Sequence, residues 1–415
     1  MQLDLISKKY GLSPEVTEFM QQYGYDAARQ DFCWPLAELA GDRLAQRCAA
    51  LELTDALPEL EAMLSKTSTD ESLQRVIHYI FYYWYKLDNA LIYGYKLPDL
   101  EAMTGAEDAG LLHMLIAIAG CGAIEKKFAA MQLPPEYAAA ALRRIPENST
   151  AYFQQYNRRG FPESGQHWMR FFVEGKLFRI GRFEYMIEPL IMKLLPHVYK
   201  HRSSGRIVAL CRDGWQFNAE GLMLWRDIAE KPYCIAKLED HGSFVRGIPV
   251  DPNGFAAVDT IIELNKNDYE LLWNDNDFVP DMHIPPGGNM HLELCRESLL
   301  AAQKFFPEHL GMTPRAFACF SWIFNPDFQD VLPESNLSKF MREVYLTPFS
   351  GSSLAGLSFV FGKQDQDWSH YPAVNSLQRA FHQLRKNNRR LKEGGMFIEA
   401  AGLKEFGTQF YRNNY

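Results

Sequence analysis

Residues 277–306 read DFVPDMHI, then PPGGN, then MHLELCRESLLAAQKFF. The first eight, Asp277 to Ile284, read as a short strand that runs into a turn. Pro285-Pro286-Gly287-Gly288-Asn289 cannot continue that strand, because prolines lack the N–H a ladder needs and glycines favour turns. From Met290 the period changes. Leu292, Cys295, Leu299, Ala302 and Phe306 recur every three or four residues, so a helix runs from Met290 to Phe306 with one apolar face. This phase puts Leu292, Leu299 and Phe306 against a sheet and turns Glu293, Arg296 and Glu297 to water. A glycine-bearing turn between a strand and a helix N-terminus has a chemical use. Its backbone N–H groups approach a ligand closely, and the helix end carries about half a positive charge. Phosphate is the natural guest at Gly287, Gly288 and Asn289; the plain alternative is that the glycines serve the geometry of the turn alone.

Downstream, a turn at Gly311 to Pro314 leads into the strand AFACFSWIF, then helical DFQDVL and NLSKFMREV. Two more apolar strands are expected around Tyr345 to Phe349 and Leu357 to Phe361. Upstream, Leu177 to Ile187 (LFRIGRFEYMI) reads as a strand, and Arg206 to Phe217 as a strand or hairpin broken at Asp213-Gly214. Seven acidic residues against one lysine between Asp259 and Asp281 suggest a solvated face.

The first part of the chain, to about Gln166, has a different character. Ser13-Pro14-Glu15 supplies an N-cap, an N1 proline and an acidic first turn. Helical periodicity follows in PLAELAGDRLAQRCAAL (35–51), DALPELEAML (55–64) and ESLQRVIHYIFYYWYKLDNALIYGY (71–95). The aromatic run from Tyr79 to Tyr85 is apolar on nearly every face, which marks a central packed helix rather than a ligand box. Leu111 to Ile124 is too short to cross a bilayer of about 30 Å and holds His113 and two glycines, so it reads as a buried helix. RRGFPESG, Arg158 to Gly165, is the most turn-rich connection. The expected organisation is therefore a helical domain over 1–165, an α/β domain over 166–365, and a helical and strand extension over 366–415 packed on the second domain. The fold class is α+β, with an all-helical N-terminal domain followed by a mixed sheet.

Composition narrows the function. The 415 residues are 47% hydrophobic, with 43 basic against 51 acidic side chains and a net charge of −8. Such a chain buries cores rather than staying disordered, and it does not coat nucleic acid or anionic membrane. Six basic residues and no acidic one between Arg379 and Lys392 read as a solvated cationic helix face. Seven scattered cysteines without a CxxC pair exclude a zinc ribbon or thioredoxin-type site and suggest reduced thiols. With no signal-peptide pattern in MQLDLISKKYGL, a cytoplasmic location is expected. GxGxxG, GxxxxGK[ST] and HExxH are all absent. His283, His291 and Glu293 flank the loop like a metal set, but His291 and Glu293 fall on the helix, and no metal is expected.

The order of strand, glycine-containing loop, helix, strand, helix and closing strands resembles the acetyl-CoA-binding half of the GNAT N-acetyltransferase fold. More closely, the chain is similar to bacterial proteins in which a helical N-acyltransferase-type domain precedes a GNAT-like C-terminal domain. WMRFFVEGKLFRIGRFEYMI, HIPPGGNMHLELCRESLLAAQKFF, FACFSWIFNPDFQDVL and SNLSKFMREV carry the likeness, across much of 167–344. The loop departs from the usual Gln/Arg-x-x-Gly-x-Gly/Ala: it lacks the second spaced glycine and holds two prolines without N–H donors.

The resemblance implies an acyl-CoA-dependent N-acyltransferase, with acetyl-CoA or another acyl-CoA as cosubstrate and an amine on a small molecule or peptide as acceptor. A backbone N–H near Ile284 would then stabilise the oxyanion. His283 would deprotonate the amine, or else only hydrogen-bond across the strand end. Tyr345 sits where the family often places the proton donor to the thiolate, packing being its other reading. Asn325 would bind pantetheine amides or merely cap a helix. Glu184 would hold the amine, or form an ordinary strand-face ion pair with Arg182. Two further readings stand beside this one: a non-catalytic binding or scaffold protein retaining the fold, and a hydrolase using the aromatic and acidic residues of 259–282.

Overall fold

The computed structural model describes residues 2–30, 39 and 41–415. Of the helix expected over 35–51, residues 35–38 and 40 lie outside the described residues, as does Cys33; Arg43–Ala50 is helical. The chain divides into two compact units, one of Met1–Arg179 with Pro285–Gly287 and one of Ile180–Ile284 with Gly288–Tyr415.

The first unit is built on helices, three of which form its centre: Glu71–Tyr85 (α1), Ala106–Ala130 (α2) and Glu163–Glu174 (α3). Asp70 caps α1 by accepting from the Leu73 N–H. Val76, Ile77, Tyr79, Ile80, Tyr83 and Trp84 of α1 are buried, as the all-round apolar pattern requires. The helix stops at Tyr85 rather than running on to Tyr95, and residues 86–99 are turn and loop. The apolar helix α2 is 25 residues long, enough to cross a membrane by length and composition. Most of it is buried within the protein, with His113 inside and held neutral, its pKa pushed down to about 4 by burial. Gly120 lets α1 approach α2, since a Cβ there would stand 2.1 Å from the Tyr85 ring. The Tyr85 hydroxyl donates to Gln166 Oε1 (2.6 Å), and Gln166 Nε2 donates to the His113 carbonyl (2.6 Å), which joins all three helices through a buried polar relay.

Helix α3 corrects the boundary expected after Gly165. RRGFPESG separates two helices of the same unit, because the segment after it buries Gln166, Met169 and Phe172 on one helical face. The division instead follows Arg179.

A six-stranded sheet is made of Leu177–Ile180 (β1), of which only Ile180 belongs to the second unit, and, within that unit, Phe183–Met186 (β2), Asp281–His283 (β3), Ala316–Ser321 (β4), Tyr345–Pro348 (β5) and Gly394–Glu399 (β6), in the order β1-β2-β3-β4-β6-β5. The unit division runs through β1. The single strand expected over 177–187 is thus two strands, with Gly181 and Arg182 between them. Strand β3 runs antiparallel to β2 and parallel to β4; β6 is antiparallel to both its neighbours. Helix Leu292–Leu310 (α4) connects β3 to β4, as the sequence phase demands. Leu299 and Phe306 are fully buried, Leu292 is half-buried, and Glu293, Arg296 and Glu297 are exposed. Phe306 meets Tyr185 of β2 edge to face.

Residues 357–361, expected as a strand, form a short helix after Gly356. The last strand comes instead from the tail, where β6 lies between β4 and β5, so residues 366–415 share the core of this unit rather than lying on it. Between β2 and β3 the chain builds a second sheet of short strands, ordered 255–256, 249–251, 207–210, 197–201 and 269–271. It packs on the first: Trp273, just beyond it, meets Phe397, and the Tyr345 hydroxyl donates to the Val250 carbonyl.

Candidate active site

The parallel pair β3–β4 is joined at its start and parts at its end. The Arg315 N–H donates to the Phe278 carbonyl and the Ala318 N–H to the Pro280 carbonyl, and Asp281 opposite Ala318 is their one register pair. Strand β4 continues to Ser321, whereas β3 ends at His283. The chain after Asp281 therefore leaves the neighbouring strand, and Ile284 is the first residue beyond it. Two strands that diverge this way open a slot into which an extended ligand can insert and use main-chain groups.

Alternation puts Asp281 and His283 on one face of β3, and antiparallel register sets His283 opposite Glu184 of β2. His283 Nε2 lies 3.4 Å from Asp281 Oδ2. Burial lifts the Asp281 carboxyl to about 8, and the charge of Glu188 adds to the rise, so Asp281 holds its proton at neutral pH. Glu184 is fully buried. The structure thus gathers His283 and Glu184, two of the expected residues, and adds Asp281. The signal for Asp281 was present as an Asp-x-His alternation, but a strand's two faces look alike until one of them is covered.

The loop after β3 is held from the β1–β2 turn. Arg182 donates from Nε to the Asn289 carbonyl (3.0 Å) and from Nη2 to the Gly288 carbonyl (3.3 Å). Asn289 Oδ1 accepts from the His291 N–H (3.3 Å). Gly287 and Gly288 have φ of 78° and 46°, the left-handed region where glycine is favoured. His291 stands at the N-cap of α4 without a side-chain cap bond, so the first N–H groups of a 19-residue helix are left for water or an anion. Ser298 of α4 fixes the helix to the hairpin: its Oγ donates to the Ile180 carbonyl, accepts from the Phe183 N–H and meets the Tyr185 hydroxyl at 2.9 Å. Sequence phase alone counts Ser298 as a polar interruption of the apolar face.

Two expected site residues lie elsewhere. Tyr345 is on β5, with β4 and β6 between it and β3, about 14 Å away at the usual strand spacing. It is fully buried, stacked on Phe397, and donates to the Val250 carbonyl, a packing role. Asn325 follows β4, buried, with its Oδ1 accepting from the Asp327 N–H (3.1 Å), a turn ahead of the helix Phe328–Val331 whose N-cap is Asp327, so it neither caps that helix nor joins the β3 residues. Among the described residues no group of His, Cys, Asp and Glu could hold a metal ion.

A family model described as the GNAT-like C-terminal domain matches residues 177–403, from the first residue of β1 to just beyond β6. The chain belongs to this family. The solved structures extend the likeness to the helical half. An acyltransferase in complex with decanoyl-CoA and teicoplanin superposes with a TM-score of 0.61 at 17% identity, covering 96% of this chain and all of that one. A mutant acyltransferase in complex with octanoyl-CoA gives 0.62 at 17% identity, covering 96% of this chain and 99% of that one. At that identity the likeness establishes the fold, helical N-terminal region included. No curated protein sequence matches the chain.

Proposed function

We propose that this protein is an acyl-CoA-dependent N-acyltransferase that moves an acyl group from a thioester to an amine on a small molecule or peptide. The observation that carries the reading is the parting of β3 from β4 after Asp281, followed directly by a glycine-bearing loop and an uncapped helix N-terminus. In it, the pantetheine arm enters the slot and the pyrophosphate meets Gly287, Gly288, Asn289 and the first turn of α4. The Ile284 N–H holds the thioester carbonyl as it becomes an oxyanion. His283 takes a proton from the attacking amine, which reacts only when unprotonated, and Glu184 orients that amine. Asp281, protonated at neutral pH, adds no competing charge beside His283. Tyr345 is left out of this scheme, so the departing thiolate takes its proton from His283 or from solvent. The octanoyl- and decanoyl-CoA bound to the structural neighbours set medium-chain acyl-CoAs beside acetyl-CoA as donors to be tried.

The test is calorimetric titration of CoA, acetyl-CoA and decanoyl-CoA into the wild type and His291→Asp. A carboxylate at that N-cap caps α4 itself, by about 1 kcal/mol, and repels phosphate from the same N–H groups. The expected result is at least tenfold weaker CoA binding with an unchanged or higher melting temperature. Equal CoA affinity in both proteins would refute the site. Acyl-CoA binding without release of the free CoA thiol in the presence of a panel of amines would leave a binding protein on the same fold.

A further inference from the structure

A second cavity, of about 450 Å3, lies in the second unit behind the end of β4, between the 253–255 turn and the C-terminal helix Phe410–Asn413. Three arginines line it, Arg342, Arg389 and Arg412, together with two carboxylate residues, Asp327 and Asp330. The carboxylates nearby are already neutralised or engaged. Buried Asp327 pairs with buried Lys392 at 2.7 Å and has Arg389 at 3.7 Å, while Asp330 is exposed and 4.0 Å from Arg389. Glu343 accepts from the Gly407 and Gln409 N–H groups, and Asp251 from Asn253. The positive charges of Arg342 and Arg412 have no carboxylate in salt-bridge contact among the described residues.

The hydrogen-bond inventory agrees. Each guanidinium carries five N–H donors. Arg412 donates from Nη2 to the Met341 carbonyl (3.1 Å), while its Nε is buried without a partner. Arg342 donates to the Ser338 and Pro333 carbonyls, which leaves donors over. Burial and the neighbouring Arg342 push the Arg412 pKa down to about 10, although Asp251 and Glu343 act the other way. A cation so placed is relieved by an incoming anion.

We infer that this cavity binds a phosphomonoester, its dianion held by Arg342, Arg389 and Arg412. Guanidinium forks approaching from three elements suit a tetrahedral, doubly charged group better than a planar carboxylate. The volume exceeds that of phosphate alone, and the Phe255 ring, with Asn253 beside it, gives an organic remainder an apolar wall and a polar one. Two sources share this chemistry: the 3′-phosphate of coenzyme A, and a separate phosphorylated small molecule.

The experiment titrates inorganic phosphate, adenosine 3′-phosphate, coenzyme A and dephospho-coenzyme A into the wild type, Arg342→Gln and Arg389→Gln, with chloride holding ionic strength constant. Arg389 is half-exposed, so its variant folds even where loss of the Arg342 backbone bonds does not. Phosphate and adenosine 3′-phosphate are expected to bind the wild type and to bind each folded variant at least tenfold more weakly. If coenzyme A loses affinity in the same variants and dephospho-coenzyme A does not, the 3′-phosphate is the occupant. If coenzyme A is indifferent while phosphate responds, the occupant is a separate phosphorylated molecule. Absence of phosphate binding to the wild type, or wild-type phosphate affinity in folded Arg389→Gln, would overturn the inference. Neither result bears on the α4 N-terminus, which His291→Asp tests by itself.

Discussion

Replacing Asp281 by asparagine isolates the charge at the end of β3, because the amide nearly matches the carboxyl in volume. In the wild type, burial raises this carboxyl to about 8. Between its unfolded value near 4 and that folded value, the native protein keeps a proton that the unfolded chain has released. Stability therefore falls by about 1.4 kcal/mol for each pH unit across that window. From pH 5 to pH 8 this amounts to about 4 kcal/mol at most. A fifth of the side chain is open to solvent, and screening brings the expected loss to about 2–3 kcal/mol. His113, His167 and His197, whose pKa values are lowered chiefly by burial, act in the opposite direction. They favour the folded state as pH rises through about 6.5, but they are common to both proteins and cancel in the difference. Urea unfolding at pH 5, 6.5 and 8 should show Asp281→Asn gaining about 2–3 kcal/mol on the wild type over the range. A gap between the two that stays constant to within about 0.5 kcal/mol would refute the buried, protonated carboxyl.

His283→Ala should lower turnover roughly a hundredfold while leaving CoA affinity unchanged in calorimetry, and full turnover would remove it as the base. Tyr345→Phe should cost about 0.5–1.5 kcal/mol through the lost bond to Val250 and leave turnover within about twofold, whereas a hundredfold fall would restore Tyr345 as the proton donor. Leu299→Ala should lose about 2–5 kcal/mol in denaturant, and a negligible loss would contradict its burial under the sheet. Gly120→Ala should cost about 1–3 kcal/mol by driving a methyl into the Tyr85 ring; a melting temperature equal to that of the wild type would mean the α1–α2 approach is looser than described.

Where the sequence was informative, the signal was local. Helix α4 was legible because five apolar residues repeat along one face, and its start was marked by two prolines and two glycines. The helical character of the first 165 residues, as far as they are described, was legible for the same reason, down to the Ser13 cap, whose side chain accepts from the Val16 N–H. Local signals also misled. RRGFPESG has the composition of a linker yet joins two helices of one unit, and the apolar run 357–361 has strand composition yet forms a helical turn.

What the sequence could not contain is partnership between distant segments. The second sheet is made of strands of two to five residues, too short for any period to establish. That β6, from residue 394 onward, enters the middle of a sheet begun at residue 177 depends on hydrogen bonds to β4 and β5 that no local pattern encodes. The same holds at the site. Alternation sets Asp281 and His283 on one face from sequence alone, but it does not say that the strand beside them will part, that Glu184 will lie opposite, or that Tyr345 will be turned into the core. Periodicity records which side of an element is apolar; only tertiary packing decides what covers that side, and burial is what changes the charge of a carboxyl and the reach of a hydroxyl.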